Sequence, residues 1–146
     1  MISTFPLPVT DDPTDAPFWS AALRSQLAVQ QCESCARYRF PPRPMCPYCH
    51  SMTSRWTVMS GRGRVWSFAA PQPPLLPAFA ALVPYVTVIA ELEEDSRLRV
   101  VGALVNGETG GIQGMTVSDV RIGDPVRVRF IRYADDVALP CWSLTS

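Results

Sequence analysis

Four of the five cysteines fall into two pairs, Cys32-Glu33-Ser34-Cys35 and Cys46-Pro47-Tyr48-Cys49, and this spacing constrains the fold more than anything else in the chain. Each CxxC pair places two sulfurs on one tight turn, and the ten residues between the pairs let the chain fold back and bring the turns together. Four thiolates then make a tetrahedral shell that suits zinc, a borderline-soft ion with no geometric demand of its own. A closed shell leaves no position for water or substrate. One structural zinc per chain is therefore expected, held by Cys32, Cys35, Cys46 and Cys49. The competing reading is four free or disulfide-bonded cysteines. Disulfides need an oxidising compartment, and Met1 to Pro8 has neither the basic region nor the apolar core of a secretory leader.

The 146 residues make one large domain or two small ones. A net charge of zero, with 47% hydrophobic and 18% charged residues, is that of a globular protein and argues against a general binder of nucleic acid or anionic membrane. Fifteen prolines favour strands, loops and turns over long helices. The uncharged run from Val65 to Ala90 is long enough to span a bilayer, but Pro71, Pro73, Pro74, Pro77 and Pro84 would break any spanning helix. A soluble, cytoplasmic protein is expected. The chain has no lysine, which excludes a Schiff-base mechanism. Its single histidine, His50, follows the last cysteine and reads as part of the metal knuckle rather than as a catalytic base.

Taken in order, residues 1–14 read as an extended arm. A short helix follows, with Asp15 as its cap, Pro17 in its first turn, and Phe18, Trp19, Ala22 and Leu23 on one side. Phe18 and Trp19 are a large apolar payload that packs on the protein's own body or reaches a partner subunit. Leu27 to Gln31 is the strand entering the first knuckle. Arg37 to Phe40 is the ribbon's second strand, and Arg55 to Ser60 leads out. Gly61-Arg62-Gly63-Arg64 opens a bent or closely approached strand that continues into Val65-Trp66-Ser67-Phe68. A phosphate loop there is disfavoured, because no GK[ST], third glycine or helix follows. Residues 71–84 carry Leu75, Leu76, Phe79, Leu82 and Val83 without one charge, so this loop folds back on the body or docks a partner; docking is the favoured reading. Tyr85 to Leu92 and Leu98 to Asn106 form a hairpin around Glu93-Glu94-Asp95-Ser96. Val126 to Phe130 alternates apolar residues with arginine, and the break at Ile131-Arg132 suggests a bulge. A last strand, Ala138 to Leu144, contains Pro140, which belongs at a sheet edge, and Cys141, a small core residue. The expected fold is mainly β: an N-terminal arm and short helix (1–26), a rubredoxin-like zinc ribbon (27–56) and a five-stranded OB-fold barrel (57–146).

This order of parts resembles the zinc-ribbon/OB-fold family associated with acyl-CoA chemistry, long described as a domain of unknown function. The resemblance runs from Phe18-Trp19 through Leu27 to Cys35, then Pro42 to Cys49. It continues at Trp56, Ser60 to Ser67, Pro84-Tyr85-Val86 and Ile122 to Val128. Ala36, where the family usually has glycine, and the Gly107 to Gly114 loop depart from it. The resemblance implies a non-catalytic subunit that joins a thiolase-fold partner: a thiolase, a synthase, or a lipid-transfer-protein-type aldolase of steroid side-chain breakdown. Some members accompany hydratases. It implies a hetero-oligomer built around a partner dimer, with acyl-CoA bound jointly.

Guanidinium groups bind phosphates bidentately, so Arg62, Arg64, Arg127 and Arg129 are candidates for the CoA phosphates. Phe18, Trp19, Leu75, Leu76, Phe79 and Tyr85 are candidates for the partner interface. Two rivals stand beside this reading. A nucleic-acid-binding ribbon/OB module would stack bases on Trp66, Phe68 and Tyr85, against the neutral net charge. A free-standing metalloenzyme would need an open zinc position.

Overall fold

The computed structural model describes residues 5–146; of the expected extended arm, residues 1–4 lie outside the described residues. From Phe5 the arm has no regular structure until a turn at 13–15, and the Phe5 ring meets those of Phe79 and Tyr133 edge-on at 5.5 Å. Helix α1 spans Ala16–Leu23, with Pro17 in the first turn, where a missing N–H is no loss. Asp15 sits at its N-cap, yet the carboxylate caps nothing. Its ψ of −1° is not the extended backbone from which an N-cap side chain reaches back, and the Asp12 carbonyl accepts the Asp15 and Ala16 N–H groups instead. Phe18, Ala21 and Ala22 are buried beneath the helix.

Three strands make the ribbon: β1 (Ala28–Cys32), β2 (Tyr38–Arg39) and β3 (Ser54–Val58), in the antiparallel order β2-β1-β3. The stretch expected only to lead out of the ribbon is therefore one of its strands, paired along the whole of β1 from Ala28–Val58 to Cys32–Ser54. The reason is backbone hydrogen bonding: β2 covers one edge of β1 and leaves the other open, and Trp56 and Thr57 suit a strand that fills it.

Five strands follow: β4 (Arg62–Ala69), β5 (Thr87–Leu92), β6 (Asp95–Ala103), β7 (Pro125–Ala134) and β8 (Val137–Leu144), hydrogen-bonded in the order β6-β5-β4-β7-β8. The chain is mainly β, as its sequence implies, and the curled sheet is the OB-type half-barrel. The sheet curls until its outer strands meet. A parallel bridge joins Leu104 to Trp142, the Val105 N–H donates to the Trp142 carbonyl at 2.8 Å, and the Trp142 indole N–H donates to the Val100 carbonyl at 3.0 Å. Trp142 is wholly buried, so one side chain fills the core and fastens the seam. Val65, Val86, Val88, Leu98, Val100, Leu104 and Val126 surround it. Leu27 and Val29, at the start of the ribbon, belong to the same cluster.

The two glycines at the start of β4, Gly61 just before it and Gly63 within it, have the uses their pattern suggested. Gly61 has a φ of +80°, and a Cβ on Gly63 would collide with the Glu91 carbonyl oxygen of the neighbouring strand. Pro140 lies on β8, at the end of the strand order, where an absent N–H is tolerated. The bulge in β7 falls later than Ile131-Arg132: the register slips between Arg132 and Ala134, and Tyr133, left over, turns its ring toward Phe5. Residues 71–84 contain one short helix, α2 (Pro77–Ala80). Most of this loop folds back, because Leu75, Phe79, Leu82 and Val83 pack on a second apolar cluster of Tyr85, Ile112 and Cys141, while Leu76 stays 61% exposed. Among the described residues no helix is long and apolar enough to cross a membrane.

Candidate metal centre

The two CxxC turns are near copies of each other. In the first, the Ala36 N–H donates to the Cys32 carbonyl; in the second, the His50 N–H donates to the Cys46 carbonyl, both at 3.0 Å. Ala36 and His50 occupy the same left-handed conformation, with φ of +63° and +65°. Each knuckle thus needs a positive φ directly after its second cysteine, and each places there a residue with a Cβ. Cys32 is the last residue of β1, and its N–H donates to the Arg37 carbonyl at 2.9 Å. Its counterpart, the Cys46 N–H, donates to the Ser51 carbonyl at 2.9 Å.

All four sulfurs lie within 4.8 Å of one another, with Cys32–Cys49 at 3.5 Å and Cys35–Cys46 at 3.7 Å. A tetrahedron with zinc–sulfur bonds of about 2.3 Å has edges of about 3.8 Å, so the donor set fits the ion. Its charge balance points the same way. The Cys35 backbone N–H, ahead of other hydrogen bonds, draws the Cys32 thiol down to about 6. Cys46 is lowered against its own burial by the Cys49 and Tyr48 N–H groups. Cys49, although the Ser51 N–H favours its thiolate, is pushed up to about 11 by burial and by three sulfur neighbours. Four sulfurs this close ionise together only with a cation among them. His50 is exposed and outside the ligand group. Cys141 is buried elsewhere, and burial pushes its thiol up to about 11.

The four singled-out arginines divide. Arg62, Arg64 and Arg127 line one surface cavity of about 550 Å³, and Arg62 and Arg127 are cross-strand neighbours. Arg129 lies instead at a second hollow with Arg127, Ser25 and Ser60. Arg62 is committed to Glu93 through two bonds of 2.8 and 2.7 Å, which hold the Glu93 carboxyl below its usual range, and Arg64 donates to the Gly123 carbonyl at 3.0 Å. Arg127 and Arg129 are paired through their backbones in β7, and neither side chain makes a hydrogen bond or ion pair among the described residues.

The six apolar candidates divide as well. Phe18 is a core residue, ringed by Trp19 and Phe40 at 4.9 and 5.6 Å, so little of it is left for another chain. Phe18, Trp19, Phe79 and Tyr85 line a largely apolar cavity of about 460 Å³. Leu75 packs inward and Leu76 stands out. Tyr133 and Cys141 also line the cavity, and burial raises the Tyr133 hydroxyl. No local pattern pointed to Tyr133, because the bulge that aims it is set by the register of β7 on β8.

Residues 19–53 match the ChsH2 rubredoxin-like zinc ribbon domain, and residues 56–130 match the ChsH2 C-terminal OB-fold domain. The chain belongs to the ChsH2 (DUF35) family. A DUF35 domain-containing scaffold protein of Methanocaldococcus jannaschii is 32% identical over 111 residues, which cover 73% of this ChsH2-family chain and 68% of the relative. The 3-oxo-4,17-pregnadiene-20-carboxyl-CoA hydratase alpha subunit of Mycobacterium tuberculosis and a probable enoyl-CoA hydratase alpha subunit of Thermomonospora curvata are each 32% identical over 127 residues. The chain spans about a third of the length of those two subunits, 35% and 36%, and the matches take in 87% and 86% of it. Among solved structures, the Ltp2-ChsH2(DUF35) aldolase superposes with a TM-score of 0.79 at 29% identity, over 94% of this chain and 98% of that one. A DUF35-family protein of Sulfolobus solfataricus shares the fold, with a TM-score of 0.58 over 91% of this chain and 86% of that one at 10% identity.

Proposed function

We propose that this chain is a non-catalytic accessory subunit of a thiolase-like enzyme, a thiolase or a lipid-transfer-protein-type aldolase, that makes or breaks a carbon–carbon bond in an acyl-CoA. It stabilises the partner, helps line the acyl-CoA channel, and works in the cytoplasm as part of a hetero-oligomer around a partner dimer. The observation that carries the reading is the likeness to the Ltp2-ChsH2(DUF35) aldolase chain, which this chain matches over nearly its whole length. Its own chemistry agrees: there is no lysine, the one histidine is on a knuckle, and four sulfurs enclose the metal position. Zinc would be held by Cys32, Cys35, Cys46 and Cys49 and would supply rigidity to the ribbon.

Arg127 and Arg129, whose guanidinium groups make no hydrogen bond or ion pair among the described residues, are the CoA-phosphate candidates we favour, although Arg127 is near enough to Glu93 to feel its charge. Arg64 and Arg62 rank behind them, being bonded to Gly123 and Glu93. Leu76 and the half-buried Trp19 are the interface residues we favour. Co-expression with a thiolase-fold partner tests the proposal: the two should purify as one complex, and partner stability and turnover should fall when this chain is left out. A partner equally stable and active alone would refute it. The two hydratase alpha subunits favour a second reading, in which the module serves a hydratase. Co-purification with a hydratase in place of the thiolase-fold protein would select it.

A further inference from the structure

The ribbon holds a buried cation that no carboxylate among the described residues answers. Arg39 is 5% exposed, and a guanidinium keeps its proton in a protein. Its Nε donates to the Gln30 side-chain oxygen at 2.9 Å, and Nε and Nη2 both reach the Arg43 carbonyl, at 3.2 and 2.9 Å. Nη1 is buried and has no acceptor among the described residues. The ion pairs among the described residues are Arg62–Glu93, Arg97–Asp95 and Arg99–Glu91, so no carboxylate answers Arg39. A buried cation without a counter-charge, and a buried N–H without an acceptor, are both destabilising.

Arg39 also lines a small polar crevice of about 240 Å³ where the ribbon meets the barrel, together with Arg43, Tyr48 and Arg97. Arg43 is exposed, and among the described residues its hydrogen bonds are made by its backbone alone. Arg97 is bonded to Asp95 and sits 5.5 Å from the Tyr48 ring centroid, with Arg37 at 4.7 Å from the same centroid. The wider sequence is lopsided in the same sense. Between Asp15 and Glu91 there are seven arginines and one acid, Glu33. A zinc ion in four thiolates would be doubly negative and would offset part of this charge, yet a charge at a distance accepts no hydrogen bond from Nη1.

We propose that this crevice is an oxyanion site that takes a phosphate group, with Arg39 as its buried anchor and Arg43 as its rim contact. Donors from separate side chains suit a tetrahedral group with several acceptor oxygens. A carboxylate is met by a single fork, as Asp95 already is by Arg97. The site does not rest on the acyl-CoA reading, and its lining shares no residue with the cavity of Arg62, Arg64 and Arg127.

The test is a titration of the zinc-loaded full chain with inorganic phosphate, at constant ionic strength, followed by the arginine side-chain ¹H–¹⁵N signals. The Arg39 Nε–H signal should shift saturably, with half-saturation below about 5 mM, and chloride should not shift it. Arg43→Gln should weaken phosphate binding by about fivefold with zinc content unchanged, and acetate should bind at least about tenfold more weakly than phosphate. Absence of saturation up to about 50 mM phosphate, an equal response to chloride, acetate as strong as phosphate, or unaltered affinity in Arg43→Gln would each overturn the assignment.

Discussion

The ribbon and the barrel are both small β-sheets, but they are held by different forces. The barrel closes around Trp142, with its indole buried and hydrogen-bonded and a layer of valines and leucines about it. The ribbon has no such centre. Its knuckle residues are mostly exposed, and what gathers them is four sulfurs. Hydrophobic burial therefore shapes one half and coordination the other, and β1 is where the two meet, since Val29 is in the apolar core and Cys32 is at the metal position. The lesson is that a module too small to bury a core can still be rigid when one of its strands is borrowed from a neighbour that can.

The contrast breaks first at the metal. Chelating zinc, or replacing Cys46 by Ser, should remove a contribution of order 10 kcal/mol from the ribbon. Hydrogen exchange should then show amides of Tyr38–Arg39 and Ser54–Val58 losing protection while those of β5 and β7 keep theirs. Equal loss in both halves would mean that the barrel, too, depends on the ion. Next in size is Trp142→Ala, expected to cost about 3–5 kcal/mol in denaturant unfolding through the cavity left behind, with zinc still bound one to one at moderate denaturant. Gly63→Ala should cost about 1–3 kcal/mol, because the new methyl meets backbone rather than a movable side chain. Ala36→Gly and His50→Gly sharpen the comparison in the opposite direction. Each relieves a left-handed backbone and should stabilise the zinc-loaded ribbon by up to about 1 kcal/mol, read as slower zinc release to a chelator.

The smallest effect is one of pH. Glu93 and Asp95 are both held below their ordinary range, chiefly by Arg62 and Arg97. Carboxyls lowered by folding add stability that is whole above their unfolded values and fades as pH falls through the folded ones. Arg62, Glu93 and Arg97 are about half exposed and only Asp95, at 15%, is mostly covered, so the barrel's acid sensitivity should be slight. The ribbon should fail at higher pH than the barrel, as protons displace zinc from the thiolates; zinc release and barrel unfolding followed in one acid titration would separate the two.

What was legible in the sequence was what local spacing encodes. The CxxC pairs announced the metal position, the run from Tyr85 to Leu92 announced the strand that forms over Thr87–Leu92, and Gly61 and Gly63 announced a close approach. Long-range register was not legible. Nothing near Trp142 says that it bridges to Leu104, since a parallel contact across 38 positions leaves no periodic trace. The same limit hid Glu93 as the partner of Arg62, the pairing of β3 with β1, and the place of Tyr133 at the apolar cavity. Asp15 was misread because a capping residue type is a composition signal, whereas capping itself depends on a backbone angle.

The stacking of Arg37 and Arg97 on Tyr48 ties a knuckle residue to the start of β6. Anyone exchanging ribbons between relatives, to retarget the protein or to swap its ion, would have to carry that aromatic and both of its cations across together. A transplant that kept the four cysteines but dropped this trio would deliver a correctly loaded finger hinged loosely on its base.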